Sequence, residues 1–171
     1  MILIVMGVSS SGKSTIGYLL SERLGWPFLD GDDFHPRANV EKMSRGIPLT
    51  DEDRCPWLDR LAELIADHLK KDQSMILACS ALKQAYRTRL VVDLSKTLFI
   101  YLKGSYKLIL ARMSERSGYY MKPYMLVSQL STLEEPQDAL TVSIDQTPEQ
   151  IVNSVVDYLK ADHHEQKSKN L

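Results

Sequence analysis

The chain has 171 residues, of which 44% are hydrophobic and 25% are charged, and its formal net charge is -1. This length fits one domain, and the near-neutral charge excludes a general attraction to nucleic acid or to an anionic membrane. No apolar run approaches the ~20 residues of a membrane span, so we expect a cytoplasmic protein with no membrane or nucleic-acid partner, and free thiols at Cys55 and Cys79.

The first predicted element is a buried strand that leads into a phosphate-binding loop. Residues 2–6 are apolar, and residues 7–14 read Gly-Val-Ser-Ser-Ser-Gly-Lys-Ser, the pattern G-x-x-x-x-G-K-S. The end glycines allow a tight fold around a polyphosphate, Lys13 can reach the β- and γ-phosphates, and Ser14 can bind Mg²⁺. A helical pattern follows, which favours a nucleotide site over a Ser/Gly-rich turn. The predicted nucleotide contacts are Gly7, Val8, Ser9, Ser10, Ser11, Gly12, Lys13, Ser14 and Thr15.

An acidic cluster follows the second predicted strand, which covers residues 27–29. Asp30, Asp32 and Asp33 come directly after it. Ligands of open α/β sheets bind beyond the carboxyl ends of the strands, so we expect these carboxylates beside the phosphate loop. Strand alternation places Asp30 and Asp32 on the same side. The alternative is a solvated turn in which an Asp caps the next helix, chiefly for Asp33.

Helices are predicted over residues 37–45 and from about 51 to 71, the second beginning near a capping box at Thr50 and Asp53. Trp57, within the second helix, is expected to be a core residue that anchors this pair of helices. The third strand, residues 74–79, lacks the Asp of a Walker B strand, so a metal must find its second protein ligand elsewhere.

Two cations follow the third strand. Helical spacing would place Lys83 and Arg87 on one face, four residues apart, at the carboxyl edge of the sheet. They could hold an anion there. An exposed basic helix face is the alternative.

The last third of the chain is predicted to hold two strands and a small insertion. A strand over 97–102 precedes a helix over 106–117 that carries Arg112 and Arg116 on one face. A lid is expected at about 117–136, between the fourth strand and the fifth, residues 140–144. A final helix begins near Pro148. We predict one domain over 1–161 and a polar tail over 162–171.

The chain lacks the N-K-x-D stretch with which GTPases select guanine, and it is small for a motor ATPase. An Asp-x-Asp after the second strand and an arginine-bearing lid fit phosphoryl transfer to a small molecule. A nucleotide-binding regulator that transfers no phosphate is the alternative of another class.

The chain resembles the gluconokinases, of the shikimate-kinase-like branch of phosphate-loop kinases. The similarity covers about nine tenths of the chain. Its motifs are the loop at 7–14, Leu29-Asp30-Gly31-Asp32, His35-Pro36-Arg37, Asn39, Glu41-Lys42-Met43, Gly46-Ile47-Pro48-Leu49, Asp51, Asp53-Arg54, Pro56-Trp57-Leu58, Cys79-Ser80-Ala81-Leu82-Lys83, Tyr86-Arg87, Phe99-Ile100-Tyr101-Leu102-Lys103-Gly104, Met125-Leu126-Val127-Ser128-Gln129, Leu133-Glu134 and Pro136.

The resemblance implies an α/β, three-layer phosphate-loop kinase fold, with a five-stranded parallel sheet of order 2-3-1-4-5 and a small helical lid. It implies ATP- and Mg²⁺-dependent phosphorylation of D-gluconate at its 6-hydroxyl, in a cytoplasmic homodimer. A related kinase for a shikimate-like acid or a nucleoside monophosphate is the nearest alternative.

The resemblance also assigns roles to individual residues. Lys13 and Arg116 would stabilise phosphate charge, and Asp30 would hold a metal-bound water beside Ser14. Arg112 would lie against adenine opposite Pro148. From its place two residues after Asp30, Asp32 is expected to orient or deprotonate the acceptor hydroxyl. His35 could hydrogen-bond the sugar chain, and a structural cap is the alternative for it. Because the net charge is -1, the carboxylate of gluconate must be met by local cations, and our candidates are Arg54, Lys83 and Arg87.

Three positions depart from the family pattern. Ser10 stands where the loop often has Gly, which we expect to be tolerated if its φ is negative. Tyr119-Tyr120 replaces a His-Phe pair in the lid, and Thr88 replaces an Asp that is common after Tyr-Arg.

Overall fold

The computed structural model describes residues 1–115 and 123–169. Five parallel strands form one sheet in the order β2-β3-β1-β4-β5, which confirms the order that the family resemblance implied. The strands are β1 (Ile2–Met6), β2 (Phe28–Asp30), β3 (Met75–Ala78), β4 (Thr97–Lys103) and β5 (Leu140–Ser143).

Helices connect the strands and cover both faces of the sheet. In the described ranges they are α1 (Lys13–Leu24), α2 (Arg37–Ser44), α3 (Asp51–Lys70), α4 (Gln84–Leu90), α5 (Tyr106–Glu115), α6 (Pro123–Thr132) and α7 (Pro148–Lys169). None of these helices is long and apolar enough to span a membrane. The backbone of α7 stays helical to Lys169, so part of the predicted polar tail continues this helix.

The apolar run of β1 is explained by burial on both faces. Leu3 and Val5 pack with residues of α1, α5 and α7 on one face of the sheet. Ile2, Ile4 and Met6 pack with residues of α3 and α4 on the other. A central parallel strand has no solvent-facing side, and an uninterrupted apolar run is therefore the pattern that fits it.

The turns after β1, β2 and β3 meet at one edge of the sheet. Parallel strands expose their carboxyl ends together, which places the phosphate loop, the acidic cluster and the residues after β3 side by side.

The predicted capping box is present at the start of α3. The Thr50 amide donates to the Asp53 carboxylate at 2.9 Å, and the Asp53 amide donates to the Thr50 hydroxyl at 3.2 Å.

Both cysteines are free thiols. Cys79 lies at the end of β3, where burial raises the pKa of its thiol to about 12 and keeps it protonated at neutral pH. Cys55 is half-buried in α3.

Candidate active site

The phosphate loop wraps tightly between β1 and α1. Gly7 has φ 146° and Gly12 has φ 102°, values that favour glycine. A Cβ at Gly7 would also lie 3.0 Å from the Leu102 carbonyl oxygen and 2.8 Å from the Ser11 hydroxyl. Helix α1 begins at Lys13, so the positive end of its dipole faces the loop.

Ser10 differs from the expectation. Its φ is 62°, in the left-handed region, rather than negative. The loop therefore makes a left-handed turn with a residue that has a Cβ, which costs on the order of 1 kcal/mol of backbone strain.

The interior of the loop fits a polyphosphate. The hydroxyls of Ser10 and Ser11 are buried and have no hydrogen-bond partner among the described residues. Lys13 Nζ donates to the Val8 carbonyl at 3.1 Å and so lies folded over the loop. Donors converging on a helix N-terminus suit the phosphates of a nucleotide.

Gln129 of α6 holds the loop from the other side. The Ser9 amide donates to Gln129 Oε1 at 2.7 Å, and Gln129 Nε2 donates to the Ser9 hydroxyl at 3.1 Å. Sequence reasoning assigned this glutamine no role, although it stands in one of the family motifs. Helix α6 is thereby tied to the phosphate loop.

Ser14 and Asp30 lie together beside the loop. The Ser14 hydroxyl donates to Asp30 Oδ2 at 2.6 Å. Within the described ranges no three acidic, His or Cys residues form a metal cluster. Mg²⁺ bound with nucleotide phosphates commonly takes only one or two protein oxygens, and this pair fits that chemistry.

The acidic cluster is a turn rather than an extended strand. Residues 31–34 form a short 3₁₀ helix, and its Asp32 amide donates to Asp30 Oδ1 at 3.1 Å. The alternation expected for Asp30 and Asp32 therefore does not apply. The turn nevertheless brings both carboxylates to the same edge, while Asp33 is exposed and lies outside the cavity lining.

A cavity of about 350 Å³ opens between the phosphate loop, α2, α3 and α6. This volume is at the small end of the range for ligand sites. Both polar and apolar side chains line it: Ser9, Lys13, Asp32, His35, Met43, Pro48, Leu49, Arg54, Trp57, Ser80, Leu82, Met125, Ser128, Gln129 and Thr132.

Asp32 faces this cavity, with 76% of its side chain accessible. Although the side chain stays accessible from the cavity, the surrounding protein atoms displace part of the water around the carboxylate and raise its pKa; repulsion from Asp30 and Asp33 adds to the rise, and the nearby Lys13 ammonium opposes it. A carboxylate with a raised pKa beside a phosphate-binding lysine is suited to hold an attacking hydroxyl.

His35 forms the next part of the wall. Its ring stacks on Trp57 with 4.2 Å between centroids and 15° between planes, and its Nε2 lies 3.9 Å from Asp32 Oδ1. Burial, aided by the charge of Arg54, lowers the pKa of His35 to about 4. The imidazole is therefore neutral at pH 7.

Trp57 is both a core residue and a support for the site. It is 2% exposed, and its Nε1–H donates to the Gly31 carbonyl at 2.7 Å. This bond fixes the turn that carries Asp32, and the stack fixes His35. The sequence predicted the core role of Trp57. It did not predict the hydrogen bond or the ring stack, because both join segments that are distant in the sequence.

Replacing Trp57 with Phe should destabilise the protein by about 1–3 kcal/mol, because the buried Gly31 carbonyl would lose its donor. Urea unfolding monitored by circular dichroism measures the change. Trp26→Phe, at a half-buried position outside the cavity lining, is the control. Equal costs for the two variants would contradict the support role.

The three predicted carboxylate-binding cations occupy different surroundings. Arg54 lines the cavity, and its Nη1 donates to the carbonyls of Leu49 and Thr50. Lys83 is outside the lining and is paired with Asp51 at 2.7 Å. It is the N-cap of α4, with extended backbone angles, rather than part of the helix face.

Arg87 is outside the cavity lining, although it contacts the backbone of Leu82, which belongs to the lining. It is 2% exposed, and its Nη1 donates to the Ala81 and Leu82 carbonyls at 3.0 and 3.2 Å. Ala81 has φ 44°, so the guanidinium secures a strained turn after β3. The expected joint anion site of Lys83 and Arg87 is thus not assembled.

Arg112 lies on the nucleotide side. Its Nη2 donates to the Ile144 carbonyl at 2.6 Å, just before the exposed Pro148 that begins α7. Its guanidinium also lies close to the phosphate loop, since Nη1 would be 3.9 Å from a Cβ built on Gly12.

Arg116 and the Tyr119-Tyr120 pair lie outside the described residues, as does part of the predicted lid.

The parallel sheet, the phosphate loop and the adjoining cavity define a phosphate-loop kinase for a small acceptor. The family model for shikimate kinase matches residues 9–162. A probable gluconokinase of Mus musculus is 41% identical over 179 residues, covering 93% of this chain and 97% of the relative. The thermoresistant gluconokinase of Escherichia coli K12 is 42% identical over 163 residues, covering 93% of each.

A solved gluconokinase structure from Sinorhizobium meliloti 1021 superposes with a TM-score of 0.86 at 38% identity, covering 96% of this chain and 95% of that one. The chain belongs to the gluconokinase family, within the wider group that the shikimate kinase model describes.

Proposed function

We propose that this protein is an ATP-dependent gluconokinase that phosphorylates D-gluconate at its 6-hydroxyl, giving 6-phospho-D-gluconate and ADP. The observation that carries the proposal is that Lys13 of the phosphate loop and Asp32 of the acidic turn line one small cavity. The near full-length similarity to proteins named gluconokinase supports the choice of substrate.

In this reaction the hydroxyl oxygen forms a bond to the γ-phosphorus, the bond to the ADP oxygen breaks, and the hydroxyl proton passes to the Asp32 carboxylate. Lys13 neutralises charge on the transferring phosphoryl group, and the rest of the phosphate loop orients the nucleotide. Because such transition states are largely loose, Asp32 contributes positioning as well as proton acceptance.

Ser14 and Asp30 are the residues that would hold Mg²⁺, Ser14 directly and Asp30 through a water molecule. When bound, the ion neutralises charge on the β- and γ-phosphates. In this proposal Arg112 contacts adenine, with Pro148 on the opposite side, as the family resemblance implies. We retain a phosphate-contacting role for Arg116 and a homodimer from the family resemblance.

Arg54 is the cation that we assign to the substrate carboxylate. It lines the acceptor cavity, whereas the Lys83 ammonium is paired with Asp51 and the Arg87 guanidinium is buried against backbone carbonyls. A guanidinium can bind a carboxylate through two parallel N–H donors.

Arg54→Ala should raise the KM for gluconate about 10- to 100-fold, the loss expected when charge-assisted hydrogen bonds are removed. The KM for ATP should stay within about twofold. Steady-state kinetics with each substrate varied in turn measures both constants. Arg89→Ala, at an exposed arginine paired with Asp59, is the control. A larger effect from Lys83→Ala would contradict this assignment.

Product analysis tests the reaction itself. With ATP, Mg²⁺ and D-gluconate, ³¹P and ¹³C NMR should locate the new phosphate on carbon 6. The analogue 6-deoxygluconate should compete with gluconate without being phosphorylated. Phosphate on another carbon, or transfer to the deoxy analogue, would contradict the proposed acceptor hydroxyl.

A further inference from the structure

A row of polar contacts runs from the partly exposed Lys42 through Asp53 to the buried Asn39 and reaches His35. Lys42 Nζ contacts both Asp53 carboxylate oxygens, at 2.7 and 2.8 Å. The Asp53 carbonyl accepts from Asn39 Nδ2 at 2.8 Å, and the same Nδ2 lies 3.3 Å from His35 Nδ1. Asn39 is 3% exposed, one of the few buried polar residues in the described ranges.

These contacts fix the orientation of the Asn39 amide. A carbonyl oxygen can only accept a hydrogen bond, so the Asn39 atom that faces the Asp53 carbonyl must be the NH₂ group. An NH₂ group can only donate. His35 Nδ1 must therefore be the acceptor of this contact and carry a lone pair, which assigns its tautomer from the hydrogen-bond network.

A neutral imidazole with a lone pair on Nδ1 carries its hydrogen on Nε2. The depressed pKa of His35, caused by burial and by Arg54, agrees with the neutral form. His35 Nε2 lies 3.9 Å from Asp32 Oδ1, and both residues line the cavity. The wall thus presents a fixed N–H donor beside a carboxylate acceptor.

We propose that His35 donates its Nε2–H to the oxygen of the acceptor hydroxyl while Asp32 accepts the hydroxyl hydrogen, and that Asn39 is the positioning residue that fixes this tautomer. The proposal rests on the proposed function for the identity of the acceptor. A hydroxyl is both donor and acceptor, so the pair would select it over a carbonyl oxygen or a carboxylate, which cannot donate to Asp32.

The tautomer can be measured without any activity. Long-range ¹H–¹⁵N correlation spectra of the ¹⁵N-histidine-labelled protein distinguish protonated from unprotonated imidazole nitrogens. His35→Gln identifies the His35 signals by their loss. At pH 7 we expect an unprotonated Nδ1 and a protonated Nε2. A protonated Nδ1, or averaging between tautomers, would overturn the proposal, whatever the substrate proves to be.

Kinetics tests the link to the acceptor. Asn39→Asp keeps the size of the side chain but replaces the donor with an acceptor, so it should favour a proton on Nδ1 and lower kcat/KM for gluconate about tenfold, the equivalent of one hydrogen bond. The KM for ATP should be unchanged. His35→Gln retains an N–H near the Nε2 position and should keep more activity than His35→Leu.

A double-mutant cycle separates the positioning role from a structural one. In the His35→Gln background there is no tautomer to fix, so Asn39→Asp should have little further effect. Equal losses in both backgrounds would show that Asn39 acts only on the fold and would overturn its assigned role. Failure of the wild-type protein to phosphorylate gluconate would instead count against the proposed function and leave the tautomer measurement standing.

Discussion

Replacing Lys13 with Ala is expected to lower kcat by roughly 100- to 1,000-fold, the cost of removing one preorganised group that stabilises transition-state charge. The ammonium lies over the phosphate loop, 3.1 Å from the Val8 carbonyl, and close enough to Asp32 to influence its pKa. In the proposed function it is therefore next to both the nucleotide and the acceptor. Stopped-time measurement of ADP formation at saturating ATP and gluconate gives the change.

Lys70→Ala is the matched control for this experiment. Lys70 is a surface lysine, 77% exposed, near the end of α3 that leads to the amino end of β3. Its removal should leave kcat within about twofold. Near-normal turnover of Lys13→Ala, with the fold intact by circular dichroism, would contradict the assignment of the phosphate loop as the catalytic centre.

Replacing Asp32 with Asn is expected to lower kcat about 100-fold or more, within the range that general-base catalysis supplies. The amide keeps the shape of the side chain and part of its hydrogen bonding but cannot take the hydroxyl proton. The measurement is kcat at saturating substrates, with both KM values determined in parallel. A loss below about tenfold would leave Asp32 as a positioning group.

Asp33→Asn is the control for Asp32. The two residues are neighbours in the same 3₁₀ turn and carry the same charge, but only Asp32 lines the cavity. The control therefore changes the local charge without changing the contact with the acceptor. Comparable losses in the two variants would indicate a general electrostatic effect of the acidic turn.

The parts of the molecule that the sequence predicted well are encoded locally. The backbone geometry of the phosphate loop is permitted by the glycines at its two ends. Strand β1 is recognisable because burial on both faces requires apolar residues throughout. The capping box at Thr50 and Asp53 is likewise formed within four consecutive residues. Such features need no knowledge of the rest of the fold.

The cations were harder to predict because their roles depend on a small shift of a helix boundary. Helix α4 begins at Gln84, so Lys83 is its extended N-cap rather than a residue on the same face as Arg87. One ammonium then reaches Asp51, while the Arg87 guanidinium turns inward to the carbonyls after β3. Helical spacing alone could not distinguish this arrangement from a shared anion site.

The supports of the site could not be predicted because they join distant segments. Gln129 contacts Ser9 across 120 positions, and Asn39 reaches the Asp53 carbonyl only because α2 packs against the start of α3. Ser10 adopts a positive φ although serine rarely does, since the loop as a whole imposes it. Each of these is a tertiary effect that outweighs local preference.

The most direct test of the account is the acceptor specificity of the purified protein. A coupled assay of ADP release with ATP and Mg²⁺ should give a kcat/KM for D-gluconate at least about 100-fold higher than for shikimate or for nucleoside monophosphates. The cavity is lined by both Asp32, which we assign to the acceptor hydroxyl, and Arg54, which we assign to the substrate carboxylate. ADP release no faster with gluconate than without it, or an equal preference for shikimate or a nucleoside monophosphate, would contradict it.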